Sequence, residues 1–364
     1  MDVLKELEKT KDKLKPMERV LLTLKGDEAD RVPVCSIGAG CTRLITGISF
    51  REFSTKADLA ASALIAANQL VGDDILFPFV DLSVEAADFG QKVIYPENTT
   101  AYPDYEDMLI KTVEDYERLE VFDPTNSPRM SNYIKMTRIL VKRCGSDYPV
   151  VSFVYGPLGV LGMMRGAESL YLDILEYPDK VKVALEVITE VLKKYTTALC
   201  NLGVAGVCVD TLPASLSGVS SQAWEEFEGH FVKSLGDIIR EAGCLVINHG
   251  CGHAPYFKEV KRWLNPAIVS FAELPAECAD GVELKDMYGQ DMTLMGYVST
   301  DILYHGTPMQ IIEESWKQID QIGKGGRFVL APGCEYPPNS NLLNARAMVV
   351  AAELYPKRKE VEER

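Results

Sequence analysis

Eight short apolar runs recur along this chain, and helix-length segments separate most of them. The runs are Val32–Ser36, Ile75–Val80, Val150–Tyr155, Ala205–Val209, Cys244–Ile247, Ile268–Phe271, Thr293–Val298 and Phe328–Ala331. Most are rich in Val, Ile and Phe, with little polar alternation. That pattern suits strands buried on both faces, as in a parallel sheet covered by helices. Between them, residues 56–71 place Leu59, Ala63, Ala66 and Leu70 at helical spacing and stop at Gly72. Residues 178–202 carry a stripe of Val181, Leu185, Ile188, Leu192, Tyr195 and Leu199. Further helices are expected from Ser221 to Gly243, from Thr307-Pro308 to Gly323, and from Asn341 to Tyr355, where Pro356 should end the last. Eight strands alternating with helices predict an α/β chain of the closed (β/α)8 TIM-barrel class over an open sheet. The expectation is one domain, 1–364, with 1–30 a helical N-terminal extension and 357–364 a frayed charged tail.

Charge narrows the partners. With 38 basic and 53 acidic side chains the formal charge is −15, which argues against nucleic acid or an anionic membrane surface. No apolar run reaches the ~18 residues of a membrane span, and Met1-Asp2-Val3-Leu4-Lys5-Glu6 lacks the apolar core of a signal peptide. A cytoplasmic protein is therefore expected. Nine scattered cysteines fit the same reducing setting, most of them as small buried apolar residues.

A barrel collects its reactive groups just beyond the strand ends. Those positions hold Asp81 and Glu85, Tyr155, Asp210, His249 with Cys251, Glu273, and Cys334. Asn248-His249-Gly250-Cys251-Gly252-His253 and Pro332-Gly333-Cys334-Glu335 stand out among them. His249 and Cys251 can turn toward one point, and Cys334 can complete a triangle from across the mouth. Two thiolates and one imidazole suit zinc, and three protein ligands leave the fourth position of a catalytic site open. Glu273 is the candidate for a fourth ligand when substrate is absent, whereas His253 reads as a polar loop residue. Asp81, Tyr155 and Asp210 are the candidates for lining the pocket and orienting substrate, each with structural hydrogen bonding as the plainer alternative. Dinucleotide-binding, phosphate-loop and serine-hydrolase motifs are missing.

These residues resemble the uroporphyrinogen decarboxylase superfamily, and within it the corrinoid-dependent methyltransferase branch of methylcobalamin:coenzyme M type. The match includes Glu18-Arg19-Val20, Asp30-Arg31-Val32-Pro33-Val34 and Phe79-Val80-Asp81-Leu82-Ser83-Val84-Glu85-Ala86. It continues through Tyr155-Gly156-Pro157-Leu158, His249-Gly250-Cys251-Gly252 and Ala331-Pro332-Gly333-Cys334. The resemblance implies catalytic Zn2+ on His249, Cys251 and Cys334. It also implies methyl transfer between a corrinoid (cobalamin) protein and a small molecule, with a thiol such as coenzyme M as acceptor. The alternative is a donor-side enzyme that takes methyl from an aryl methyl ether. Decarboxylation is a poorer fit: where those enzymes carry an arginine-rich segment, this chain has Cys35-Ser36-Ile37-Gly38-Ala39-Gly40-Cys41-Thr42-Arg43, with one arginine. Their C-terminal motif has histidine in the place of Cys334. None of the four histidines sits in an Asp-x-His-x-x-Gly loop, so a partner protein is expected to bring the cobalamin.

Overall fold

The computed structural model describes residues 12–36 and 39–362. Its strands are β1 (Val93–Ile94), β2 (Tyr102–Pro103), β3 (Val151–Tyr155), β4 (Gly206–Asp210), β5 (Leu245–Gly250), β6 (Ile268–Phe271), β7 (Thr293–Met295) and β8 (Phe328–Val329). β1 and β2 pair antiparallel as a small ribbon that no apolar run marks in the sequence. β3 to β8 form one parallel sheet in chain order, and their side chains are almost all buried. Helices connect every successive pair of these strands, Pro157–Arg165, Ala167–Glu176 and Pro178–Cys200 between the first two being typical. The helix expected over 56–71 runs Ala57–Val71 and ends at Gly72 in the left-handed region. Pro308–Ile322 starts at the expected Thr307, whose hydroxyl accepts from the Gln310 N–H.

The first two apolar runs correct the expectation of eight regular strands. They touch the sheet only through isolated parallel bridges, Val34 with Leu330 and Leu76 with Val150. Pro33 and Pro78 interrupt the donors that a ladder needs. Carboxylates claim others: the Val34 N–H donates to Asp74 Oδ2 at 2.8 Å and the Ser36 N–H to Asp73 Oδ1 at 3.1 Å. The two runs meet each other through the Asp74 N–H and the Val34 carbonyl, 2.8 Å apart. The result is a distorted barrel-like fold without a continuous eight-stranded ladder.

The N-terminal segment is fastened by charge. Residues 1–11 of the expected extension lie outside the described residues; the described part contains the helix Pro16–Lys25. Arg19 donates to Asp74 Oδ1 at 2.6 Å and to Asp30 Oδ1 at 2.7 Å, and Arg31 donates to Asp74 Oδ2 at 2.7 Å. Arg19, Arg31 and Asp74 are all buried, so each charge depends on the others. The expected stop at Pro356 is overturned as well, because the last helix runs Leu342–Glu362 through that proline. Tyr355 and Arg358 on either side of it bond Asp320 of the neighbouring helix at 2.6 and 3.0 Å. That clamp offsets the amide hydrogen bond lost at the proline. Residues 363–364 lie outside the described residues.

Register positions the site. Tyr155 pairs with Asp210, Asp210 with His249, His249 with Ser270, and Ser270 with Met295. Neighbours in register on parallel strands project to the same face, so one row crosses five strands near their C-terminal ends. Two residues back, Phe153, Cys208 and Ile247 project the same way and line, with Phe77, Phe79 and Met295, a cavity under the row. Phe153 packs edge-on against Phe79, their centroids 4.8 Å apart.

Candidate metal centre

His249 is the penultimate residue of β5, and Cys251 follows the strand end. Cys334 arrives on a loop held beside the end of β7 by the Val298–Pro332 bridge and by the Gly333 N–H on the Val298 carbonyl, 2.8 Å away. Glycine is required at 333, because a Cβ there would lie 2.8 Å from the Ala272 Cα. One nitrogen of His249 and the Sγ atoms of Cys251 and Cys334 come within 4.8 Å of one another. Tetrahedral zinc needs such atoms ~3.5–3.8 Å apart, a contraction within side-chain reach. The Nδ1 of His249 lies 2.9 Å from Ser270 Oγ, which leaves Nε2 to face the sulfurs.

The donor set is electrostatically prepared for a cation. The Cys251–Cys334 hydrogen bond is the main cause holding the Cys334 thiol well below its ordinary range, against burial and with help from His249. The same bond, together with burial, pushes Cys251 far up. One proton is thus shared between two sulfurs that would both be thiolates on a metal. Burial pulls the His249 imidazole down, but its hydrogen bond with Cys334 and the Asp210 charge outweigh burial, and the net shift is upward. Asp210 is itself pushed up to about 6, chiefly by burial. Cysteine and histidine sulfur–nitrogen sets of this kind favour zinc-like ions over hard cations.

The other sequence-derived candidates fall into two groups. Tyr155 and Asp210 share the register row with His249 and are buried. Asp81 is buried too, but both its oxygens are taken: Arg129 donates to Oδ2 at 2.6 Å and the Ser83 N–H to Oδ1 at 2.9 Å. Glu85 accepts from the Tyr155 N–H at 3.1 Å, and burial pushes its carboxyl up to about 8. Glu273 stands apart from the three-residue group. Its Oε2 is 2.6 Å from Nδ1 of His253, with side chains 54 % and 67 % exposed.

Two further carboxyls belong to the neighbourhood. Glu335 lines the cavity beside Cys334, where burial and that neighbour push it up to about 8. Its only signal in the sequence is adjacency to Cys334. Glu228 sits in a π-helical turn, Glu225–Gly229, and accepts from Trp224 Nε1 at 2.7 Å. Burial pushes it up to about 8 as well, with Asp210 adding. Nothing in a linear pattern marks a π-turn, so its aim toward Gly156 was not readable.

The uroporphyrinogen decarboxylase (URO-D) family model matches residues 15–355. The chain belongs to the URO-D family. It is 25% identical over 350 residues to methylcobamide:CoM methyltransferase MtaA of Methanosarcina barkeri, covering 93% of this chain and 97% of that protein. It is 23% identical over 347 residues to methylcobamide:CoM methyltransferase MtbA of Methanosarcina acetivorans, covering 93% and 98%. A solved methyltransferase from Methanosarcina mazei shares the fold of this URO-D chain with a TM-score of 0.80 at 22% identity, covering 94% and 100%. Among the described residues no helix is long and apolar enough to cross a membrane.

Proposed function

We propose that this URO-D family member is a zinc-dependent, corrinoid-dependent methyltransferase that moves a methyl group between the cobalamin of a partner protein and a small thiol. The observation that carries the reading is the convergence of His249 and Cys251, at the end of β5, with Cys334, on the loop after β8, onto one point. The methylcobamide:CoM methyltransferases that the chain resembles over 93% of its length support the choice of reaction. We read the first two apolar runs as completing a (β/α)8 ring at their bridges, and the chain as one catalytic domain.

Zinc on this set would supply the Lewis acidity that keeps a bound thiol ionised at neutral pH. The chain's own residues do the rest. Cys251 and Cys334 would hold the metal as thiolates, and their two negative charges would keep a bound substrate thiolate nucleophilic enough to take the methyl group as its bond to cobalt breaks. Tyr155 and Asp210, on the register row beside His249, orient the substrate. Asp81 acts indirectly, by holding Arg129. The apolar cavity of Phe77, Phe79, Phe153, Ile247 and Met295 excludes water from the reacting sulfur. Among the described residues its lining carries no arginine or lysine, which disfavours the polyanionic substrate of a decarboxylase.

The test is metal analysis alongside demethylation of methylcobalamin, followed by absorbance with coenzyme M as acceptor. Wild type should bind one zinc and turn over; Cys334→Ser and His249→Ala should lose most of both. Full zinc retention in both variants would refute the site. Zinc binding without thiol methylation, but with transfer from a methoxy-aromatic to cob(I)alamin, would reverse the assigned direction.

A further inference from the structure

We propose that Ser270 is the positioning residue that fixes the tautomer and ring orientation of His249 for metal, and that it does so without adding charge. The inference rests on the zinc reading above and deepens it. Ser270 is 3% exposed, on β6, in register with His249 of β5. Its Oγ lies 2.9 Å from His249 Nδ1. A neutral imidazole that gives Nε2 to a metal keeps its proton on Nδ1, and that N–H then donates to the serine oxygen. Two adjacent strands in fixed register hold donor and acceptor, so the ring plane is set by the sheet itself.

The chemistry of the partner matters as much as its place. A metal-binding histidine often donates its other N–H to a carboxylate, which raises ligand basicity and adds a negative charge. Here a carboxylate is close by: Asp210 flanks His249 from the opposite strand. Its Oδ1 instead accepts from the Leu212 N–H at 2.9 Å. Zinc with two thiolates and a neutral imidazole has no net charge, and a substrate thiolate brings it to −1. A carboxylate on Nδ1 would add a further negative charge to those of Asp210 and the site itself, beside a cavity lined by Phe153, Ile247 and Met295, where little solvent screens it. A hydroxyl orients the ring and leaves room for the third thiolate.

The experiment measures zinc affinity by competition with a chromogenic chelator for wild type, Ser270→Ala, Ser270→Thr and His249→Ala. Melting of each metal-free chain serves as the control for folding. Loss of the hydroxyl should weaken zinc binding by ~10–100-fold while the metal-free melting temperature stays at the wild-type value. Ser270→Thr, which keeps a hydroxyl, should recover most of that loss. In the zinc-loaded wild type the His249 Nδ1–H should give a protected proton resonance that disappears in Ser270→Ala. If His249→Ala loses zinc and Ser270→Ala does not, the positioning role is overturned and the metal centre stands. If His249→Ala keeps zinc, both fall.

Discussion

Replacing Asp81 by Asn separates a substrate-binding carboxylate from one that holds the scaffold. The Asp81 side chain is 0% exposed and Arg129 is 8% exposed, with 2.6 Å between Arg129 Nη2 and Asp81 Oδ2. The guanidinium also donates to the Tyr95 hydroxyl at 2.8 Å, which carries no charge. Asn at 81 therefore leaves a buried cation with no anion in contact. Breaking one half of such a pair costs about 3–5 kcal/mol. Unfolding entropy of about 2.1 cal/mol/K per residue over 364 residues converts this to a fall of roughly 4–7 °C in melting temperature. Removing the cation as well, in Asp81→Asn with Arg129→Met, should restore at least half of the loss, because the orphaned charge is then gone. Calorimetry on the four proteins of this cycle measures both quantities, and zinc content should be equal in all of them. Asp81→Asn melting like wild type while turnover collapses would refute the reasoning and place Asp81 on the substrate.

Glu85 and Glu228 are both pushed up to about 8 by burial. Their contribution to stability is complete below the ordinary carboxylate range and is lost as pH rises through about 8. Urea midpoints should accordingly fall from pH ~5 to pH ~9, and the fall should be shallower in Glu85→Gln and Glu228→Gln; an unchanged slope in both would contradict those shifts. Gly156→Ala should destabilise by about 1–3 kcal/mol, since its Cβ would lie 2.3 Å from Glu228 Oε1 and 2.7 Å from the Asp210 carbonyl oxygen. The urea midpoint measures that cost, and a wild-type midpoint would mean the turn is free to move.

The parts of this fold that were legible in sequence are those where one physical signal dominates. Buried parallel strands give unbroken apolar runs, and β3 to β6 lie within a residue or three of the runs that mark them. The first two runs misled because apolar content reports burial, not pairing. Val34 and Ser36 are buried, yet their N–H groups bond carboxylates. The long reach of the last helix was hidden because a proline's local cost is visible in sequence, while the tertiary clamp on Asp320 is not. The grouping of His249, Cys251 and Cys334 was legible because His249 and Cys251 lie two residues apart at the end of β5 and Cys334 follows a strand end. The surroundings of that triad were not: Ser270 declares itself only through register, Arg129 only through its contact with Asp81, and Glu228 only through a π-turn.

The motifs that carry the family resemblance also divide by location, and the division explains how one scaffold serves different chemistries. Arg19, Asp30 and Arg31 converge with Asp74 near the start of the first two runs. His249, Cys251 and Cys334 sit at the opposite, C-terminal ends of the strands. In barrel-type folds the first end bears on stability and the second on reaction. A change at Cys334 alters the donor set at the mouth while Asp74 and its arginines keep the same job, because no side chain is shared between the two clusters. Specificity then rests on a handful of strand-end residues. The single arginine after the first run, Arg43, is held by Asn339 at 2.6 Å and by the face of Phe50. Arg43 so engaged is not among the residues that line the cavity of Phe77, Phe79, Phe153, Ile247 and Met295.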